Sequence, residues 1–164
     1  MKGVHPLLAM SLVIVISLVA TMMVLQMGAP AIQRTKEIAL LQEGKSNLIE
    51  VKSYINDVVQ EGEGSTRNLP ISISGGSYFI DTQTDMIAFS MESSAQIIGV
   101  GVSKKEDDID ITGHLGKIYL NLSFYNIDIT GGGEFGKGSR TLVIKNNGFN
   151  SAIQKQTINI ILVR

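Results

Sequence analysis

The sequence predicts an α+β protein in which one long N-terminal α-helix precedes an antiparallel β-sandwich. Three observations support this class. The chain has no Asp, Glu, Lys or Arg from Gly3 to Gln33. Apolar residues then recur at steps of three, four and seven, which indicates one face of a helix. From Asn68 onward the apolar period changes to two, as in half-buried strands. We expect a helix over residues 4–62 and a β-domain over 66–164.

The first half of the predicted helix, residues 4–33, is apolar on every face. Residues 7–27 read LLAMSLVIVISLVATMMVLQM. As a helix they would extend roughly 30 Å, enough to cross the core of a bilayer. The run is longer than the apolar region of an ordinary secretory signal. Small residues such as Ala9, Ser11 and Ala20 would let neighbouring helices approach closely. This half should therefore contact lipid or copies of itself.

The second half, residues 34–62, is amphipathic. Gly28 and Pro30 should kink or briefly interrupt the helix before it. Gly44 is a weak point, and the glycines of EGEGS should end the helix. The residues expected to face the domain are Ile38, Leu41, Leu48, Val51, Ile55 and Val58/Val59. The residues expected on the solvent face are Lys36, Glu37, Glu43, Lys45, Glu50, Lys52 and Asp57.

Short alternating segments follow, and they predict eight or nine strands. The segments are PISIS, SYFIDT, DMIAFSM, DIDIT, KIYLNLSFY, NIDIT, RTLVIKNNG and QTINIILVR. Gly and Asn content predicts turns at GGS, GHLG, GGGEFGKGS and NNGFNS, and residues 82–85 should close a hairpin. Many short strands with such spacing favour an antiparallel sandwich.

The composition excludes several functional classes. The chain has 164 residues, with 14 basic and 15 acidic side chains, so it has no global basic field for nucleic acid. It contains no cysteine, which excludes thiol catalysis and Cys-ligated metals. His5 and His114 lie in different segments, and no nucleophile or carboxylate-pair motif is present. We expect no enzymatic activity, no metal and no cofactor.

Three motifs in the β-domain are candidate sites. Gly131, Gly136 and Lys137 match a P-loop, but Gly138 replaces its Ser or Thr and a strand follows, so we favour a glycine-rich hairpin loop. The acidic run KKEDDIDIT could bind calcium, although a solvated turn is favoured over that alternative. Asn121-Leu122-Ser123 is an N-glycosylation sequon, and Asn121 should lie on the polar face of its strand.

The first ten residues, MKGVHPLLAM, resemble the class III signal peptide of archaeal type IV pilins and archaellins. The matching residues are Lys2, Gly3, Val4 and Pro6. The resemblance implies that residues 1–3 are removed by a prepilin peptidase between Gly3 and Val4. The apolar helix would then remain on the mature protein. Leu8 stands where bacterial type IV pilins carry a glutamate. Archaeal members of the family commonly lack that glutamate.

This resemblance implies a major pilin, a structural subunit of an extracellular filament with adhesion as its expected role. The precursor would be membrane-anchored, and the filament would be a homopolymer at the cell surface. An assembly ATPase and a membrane platform protein would be its other partners. The residues expected in the filament core are Leu7, Leu8, Met10, Leu12, Val13, Ile14, Val15, Ile16, Leu18, Val19, Met22, Met23, Val24 and Leu25.

Four alternatives stay open at this point. The chain could be an archaellin of a motility filament or a minor pilin. It could also be a membrane-anchored cell-surface binding protein that never polymerises. An ordinary single-span anchor with a juxtamembrane stalk is the remaining alternative, and the filament is favoured over it.

Overall fold

The structure, a computed structural model, describes residues 6–163 apart from the side chain of residue 7. Within them, one α-helix precedes eight β-strands, which confirms the α+β class. The elements are α1 (Pro6–Glu61), β1 (Thr66–Asp81), β2 (Met86–Glu92), β3 (Ser103–Glu106), β4 (Ile109–His114), β5 (Lys117–Ser123), β6 (Ile127–Gly131), β7 (Glu134–Asn150) and β8 (Lys155–Val163).

The chain divides into two compact units. The first, the N-terminal unit, ends at Lys36, and the second, the sheet unit, begins at Glu37. α1 is continuous through Gly28 and Pro30, so the brief interruption expected there does not occur. A bend at these two residues stays a prediction.

The part of α1 in the sheet unit buries one face. Leu48, Val51, Ile55 and Val58 are each at most 1% exposed, which confirms the inward face predicted for them. The first turn of this part differs from the prediction, because Ile38 is 48% exposed.

Glu37 was expected in solvent, but its side chain is only 2% exposed. Glu37, Gly44, Val51 and Val58 follow one another at steps of seven, so they share one helix face. Ile38 lies about 100° around the helix from that line. The inward face therefore includes a charged residue type and a glycine, which a pattern of apolar residues cannot reveal.

Hydrogen bonds join all eight strands into one sheet, in the order β3-β4-β5-β2-β1-β7-β8-β6. Neighbouring strands are antiparallel except β6 and β8, which run parallel. The expectation of an entirely antiparallel domain is therefore wrong for that pair. β7 and β8 form an antiparallel hairpin, and β6 adds to the far edge of β8 in the same direction.

Two strands are much longer than the sequence predicts, because several glycine segments lie inside strands. Gly75 and Gly76, expected in a turn, belong to β1, where the register with β7 shifts between Ile73 and Ser77. A Cβ on Gly76 would lie 2.6 Å from the carbonyl oxygen of Ser90, and its φ is +80°. Glycine therefore permits a bulge at this position.

The bulge changes which residues of β1 face inward. Leu69, Ile71 and Ile73 are buried before it, whereas Tyr78 and Ile80 are buried after it. In β7 the segments GGGEFGKGS and NNGFNS are likewise mostly strand, with a register shift between Asn146 and Phe149. The predicted turns there are wrong, because bulges let glycine-rich segments remain in the ladder.

The remaining strand predictions are confirmed. The hairpin between β1 and β2 turns at residues 82–85, and β4 and β5 are joined through Leu115 and Gly116. Alternate residues of every strand except β3 enter one hydrophobic core. Buried members include Ile87, Phe89, Met91, Ile109, Ile111, Ile118, Leu120, Leu122, Ile127, Ile129, Leu142, Ile144, Ile158 and Ile160.

Candidate assembly helix and sites on the sheet unit

The apolar half of α1 is exposed on every face in the single chain. Fifteen large apolar side chains between Leu8 and Ile32 are 50–79% exposed. Residues 12–16 are consecutive members of this set, so no side of the helix is covered. An apolar surface of this size marks a site that binds lipid or protein. All the predicted filament-core residues whose side chains are described are exposed, and the side chain of Leu7 is not described.

Hydroxyl side chains along this half hydrogen-bond to the helix itself. Ser11 Oγ donates to the Leu8 carbonyl at 3.0 Å, and Thr21 Oγ1 donates to the Ser17 carbonyl at 2.8 Å. Such bonds satisfy a hydroxyl without water. The surface can therefore enter a dry environment with little cost from these groups.

Among the described residues, α1 is the one helix long and apolar enough to cross a membrane, judged by length and composition. Its most apolar window has a mean hydropathy of 2.7. The proposed cleavage residues Gly3 and Val4 lie outside the described residues, as do Lys2 and His5. Cleavage between Gly3 and Val4 stays a prediction.

The acidic run of β3 and β4 is held by lysines of the helix. Lys45 Nζ lies 2.9 Å from Glu106 Oε2 and 3.0 Å from Asp107 Oδ2. Lys52 Nζ lies 2.6 Å from Asp108 Oδ2. Each of these carboxylates thus has a cation beside it, and the described residues contain no cluster suited to a metal ion. The calcium alternative is therefore disfavoured.

These ion pairs shift the titration of the run. Hydrogen bonds from Lys104 and then Lys45 lower the pKa of Glu106 from 4.5 to about 2. The hydrogen bond from Lys52 lowers the pKa of Asp108. The turn at Asp107 and Asp108 is solvated as the sequence predicts, since these side chains are 70% and 65% exposed, and ion pairs with Lys45 and Lys52 also tie it to the helix.

The P-loop alternative is not supported by the local structure. Gly136 and Lys137 lie inside β7, and a strand, not a helix, continues after them. The hairpin-loop prediction is also wrong for most of the motif, because only Gly132 and Gly133 connect β6 to β7. A phosphate site would need a helix N-terminus at that position.

Asn121 lies in the middle of β5, on the outer face of the sheet. Its Cα partners are Ala88 of β2 and Asp110 of β4. This agrees with the predicted polar face, and glycosylation of Asn121 stays a prediction. His114 ends β4 and is exposed, with its ring edge-on to Tyr119 at a centroid distance of 5.4 Å.

Sequence reasoning missed a buried contact between the helix and the segment after β2. The Glu37 carboxyl group accepts hydrogen bonds from Ser93 Oγ at 2.8 Å, Ser94 N at 3.0 Å and Ser94 Oγ at 2.8 Å. The Ala95 N–H donates to both of its oxygens, at 3.2 and 3.1 Å. The consecutive serines of MESSAQ are the one local feature that bears on this contact, because a serine hydroxyl can donate to a carboxylate.

A second missed residue is Asn146, which is fully buried. Its Nδ2 donates to the carbonyl of Val58 at 3.1 Å, and its Oδ1 accepts the N–H of Gly148 at 2.8 Å. The Val58 carbonyl also accepts Ser65 Oγ at 2.8 Å. The Val58 carbonyl in the last turn of α1 is thus satisfied by side chains of Ser65 and of β7, as a buried carbonyl at a helix end requires.

Comparisons with known proteins identified no relative of this chain. No protein-family model matches the chain, and no curated protein or solved structure shows significant similarity to it.

Proposed function

We propose that this protein is the major pilin of an archaeal type IV pilus-like filament, a structural subunit that polymerises through its N-terminal helix. The observation that carries the proposal is the helix from Leu8 to Ile32, whose large apolar side chains are exposed all round. Its continuation in the sheet unit is packed on one face. Such a helix needs partners from outside its own chain for its first half only.

Polymerisation explains the apolar half through packing. Moving one Leu, Ile or Val out of water contributes roughly 1.5–3 kcal/mol. A subunit that leaves a bilayer starts from a dry environment, so close packing between helices must supply most of the net gain. Ala20 and Gly28 have a small side chain and no side chain, respectively, and would therefore allow that close approach.

The proposal includes processing and location. A prepilin peptidase would cut between Gly3 and Val4, and the membrane would hold the helix until assembly. An assembly ATPase and a membrane platform protein would then build a homopolymer outside the cell. No catalytic role, metal or cofactor is assigned to the subunit.

The sheet unit is proposed to be a sandwich made by one curled sheet. β6 lies three positions from β1 and four from β2 in the strand order. Asp85 Oδ1, in the turn between β1 and β2, nevertheless accepts the N–H of Ile129 in β6 at 2.9 Å, which joins that hairpin to β6. The bulges in β1 and β7 are places where such a sheet can bend.

A test must separate a filament subunit from a protein that is only anchored in the membrane. Ala20→Leu adds volume to the apolar surface, which lipid accommodates readily and a close-packed helix core does not. We expect cells with Ala20→Leu to keep the protein in the membrane and to shed few fibres. Met22→Leu nearly conserves volume and serves as the control, with fibres at wild-type level.

The same cells supply the decisive measurement. Sheared surface material should contain this chain, and mass spectrometry should find a mature N-terminus at Val4. Deletion of residues 1–30 should abolish fibres. If cells expressing the wild-type chain shed no fibres containing it, the membrane-anchored binding protein becomes the better assignment. Fibres that rotate would identify an archaellin, and presence only at fibre tips would identify a minor pilin.

A further inference from the structure

The outer face of the sheet carries a trough that runs along β2. Its floor is formed by small residues of β2, Ala88 and Ser90, with Ser77 beside them on β1; Ser77 Oγ and Ser90 Oγ lie 3.2 Å apart. Larger side chains rise on both sides, Phe79 from β1 and Tyr119 from β5. The volume of the trough is about 470 Å³. That lies within the range of small-molecule sites, roughly 300–1,000 Å³.

The register of the strands places aromatic and polar groups side by side. One row across the sheet holds Glu134, Phe79, Ala88 and Asn121 as successive Cα partners. Phe79 is 49% exposed although it lies in the interior of a strand. An aromatic side chain left open in this way offers apolar area for contact with a ligand.

Several polar groups of the trough have no partner in the chain. Within residues 6–163, the side chains of Thr112, Asn121 and Glu134 make no hydrogen bond or ion pair. They provide a hydroxyl, an amide and a carboxylate, which together donate and accept hydrogen bonds. A ligand rich in hydroxyl groups would satisfy all three.

We propose that this trough binds a neutral saccharide from another surface. The electron-rich ring faces of Phe79 and Tyr119 suit the C–H groups of a pyranose. Asn121 and Glu134 suit its hydroxyls. The inference rests on the proposed adhesive filament for its biological setting, and it names the ligand class for that role.

Other ligands fit the trough less well. Its lining contains no Lys or Arg, and its acidic or basic side chains are Glu134 and His114, so it lacks the permanent positive charge that nucleic acids and anionic glycans require. A peptide strand adds to the edge of a sheet, whereas β2 is hydrogen-bonded to β1 and β5 on its two sides. The charge of the lining therefore favours a neutral ligand.

The chain also contains a second source of sugar, since Asn121 is the acceptor of the sequon. A glycan on Asn121 would occupy the trough and exclude a free ligand. Ser123→Ala removes the sequon and keeps the Asn121 amide available. The binding test therefore uses full-length Ser123→Ala protein, dispersed in a zwitterionic detergent that has no sugar headgroup.

The probes are maltose, cellobiose and lactose, with sialyllactose as the charged comparison, followed by saturation-transfer NMR and titration. We expect a neutral disaccharide to bind with a dissociation constant on the order of 1 mM. Phe79→Ala should weaken binding about tenfold, the loss of one aromatic contact. Tyr125→Ala removes a still more exposed aromatic, 78% against 49% for Phe79, that lies outside the trough, and it should leave binding unchanged.

Absence of binding by every neutral probe would overturn the inference, and so would equal effects of Phe79→Ala and Tyr125→Ala. Stronger binding of sialyllactose than of lactose would also overturn it. Because dispersed subunits are used, none of these results depends on polymerisation. Phe79→Ala cells that still form fibres would show that the filament proposal stands apart from the saccharide site.

Discussion

Replacement of Glu37 by alanine should destabilise the sheet unit, although the sequence alone would class this glutamate as a surface residue. Its carboxyl group accepts bonds from two hydroxyls and from the backbone N–H groups of Ser94 and Ala95. Serine hydroxyls can rotate to other acceptors, whereas the two N–H groups are fixed by the backbone. Each buried donor left without an acceptor costs about 1–3 kcal/mol.

The two N–H groups together predict a loss of about 2–4 kcal/mol, the lower part of their combined range, because Ser94 and Ala95 retain some access to water. The thermal midpoint should fall by about 10 °C. Guanidinium unfolding of the full-length protein in detergent can be followed by tyrosine fluorescence, since the chain has four tyrosines and no tryptophan. Amide hydrogen exchange of Ser94 and Ala95 should accelerate about 30-fold or more.

Glu50→Ala is the matched control. Glu50 lies on the same helix, is exposed, and has no hydrogen bond or ion pair within the described residues. Its replacement should change stability by less than about 0.5 kcal/mol. Equal midpoints for Glu37→Ala and Glu50→Ala, with unchanged exchange at the two amides, would refute the reasoning.

Three further predictions concern the sheet unit. The pKa of Glu106 is lowered from 4.5 to about 2, so its ion pairs stabilise the fold fully above about pH 4.5 and are lost as the pH falls toward 2; Lys45→Met should reduce this acid dependence of the thermal midpoint. Gly44→Ala should destabilise, because its Cβ would lie 2.5 Å from the buried Phe89 ring; overpacking of about 1–3 kcal/mol outweighs a helix gain of about 1 kcal/mol. Asn146→Ala should cost about 1–3 kcal/mol in guanidinium unfolding, since the buried Gly148 N–H loses its acceptor, while the Val58 carbonyl keeps the Ser65 hydroxyl as a donor.

Each of these predictions has a control in the same chain. Lys137→Met removes an exposed lysine without an ion pair in the described residues and should leave the acid dependence unchanged. Gly28→Ala places a Cβ where nothing lies within 4 Å and should leave the unfolding of the sheet unit unaffected. Asn147→Ala alters the exposed neighbour of Asn146. If a control changes the stability or the acid dependence as much as its partner variant does, the corresponding argument is contradicted.

The strands could be predicted where the apolar period was strict. Ile109 and Ile111, or Leu120 and Leu122, alternate with polar residues, and each of the four is at most 5% exposed. Prediction from the apolar period was wrong at the glycine-rich segments. Gly75 and Gly76 predict a turn by composition, yet the partner strand β7 continues beside them and holds them in a bulge. Only pairing with a distant strand decides between these outcomes.

The candidate sites likewise divide into those that a local motif reveals and those that form only when distant segments meet. The sequon at Asn121 and the acidic run after Lys105 are visible as local motifs. The trough is not, because its members come from β1, β2, β4, β5 and β7 and meet only through strand register. The lysines that neutralise the acidic run are also distant in sequence, since Lys45 and Lys52 belong to the helix.

The sequence by itself determined the order of one long helix and a β-domain, and the apolar character of the first half of that helix. Those properties depend on residue type and period over short stretches, which each segment carries independently. Tertiary structure decided the buried position of Glu37, the parallel pairing of β6 with β8, and the assembly of the trough. These features depend on which distant segments meet, and the free energy of such contacts is absent from any local pattern.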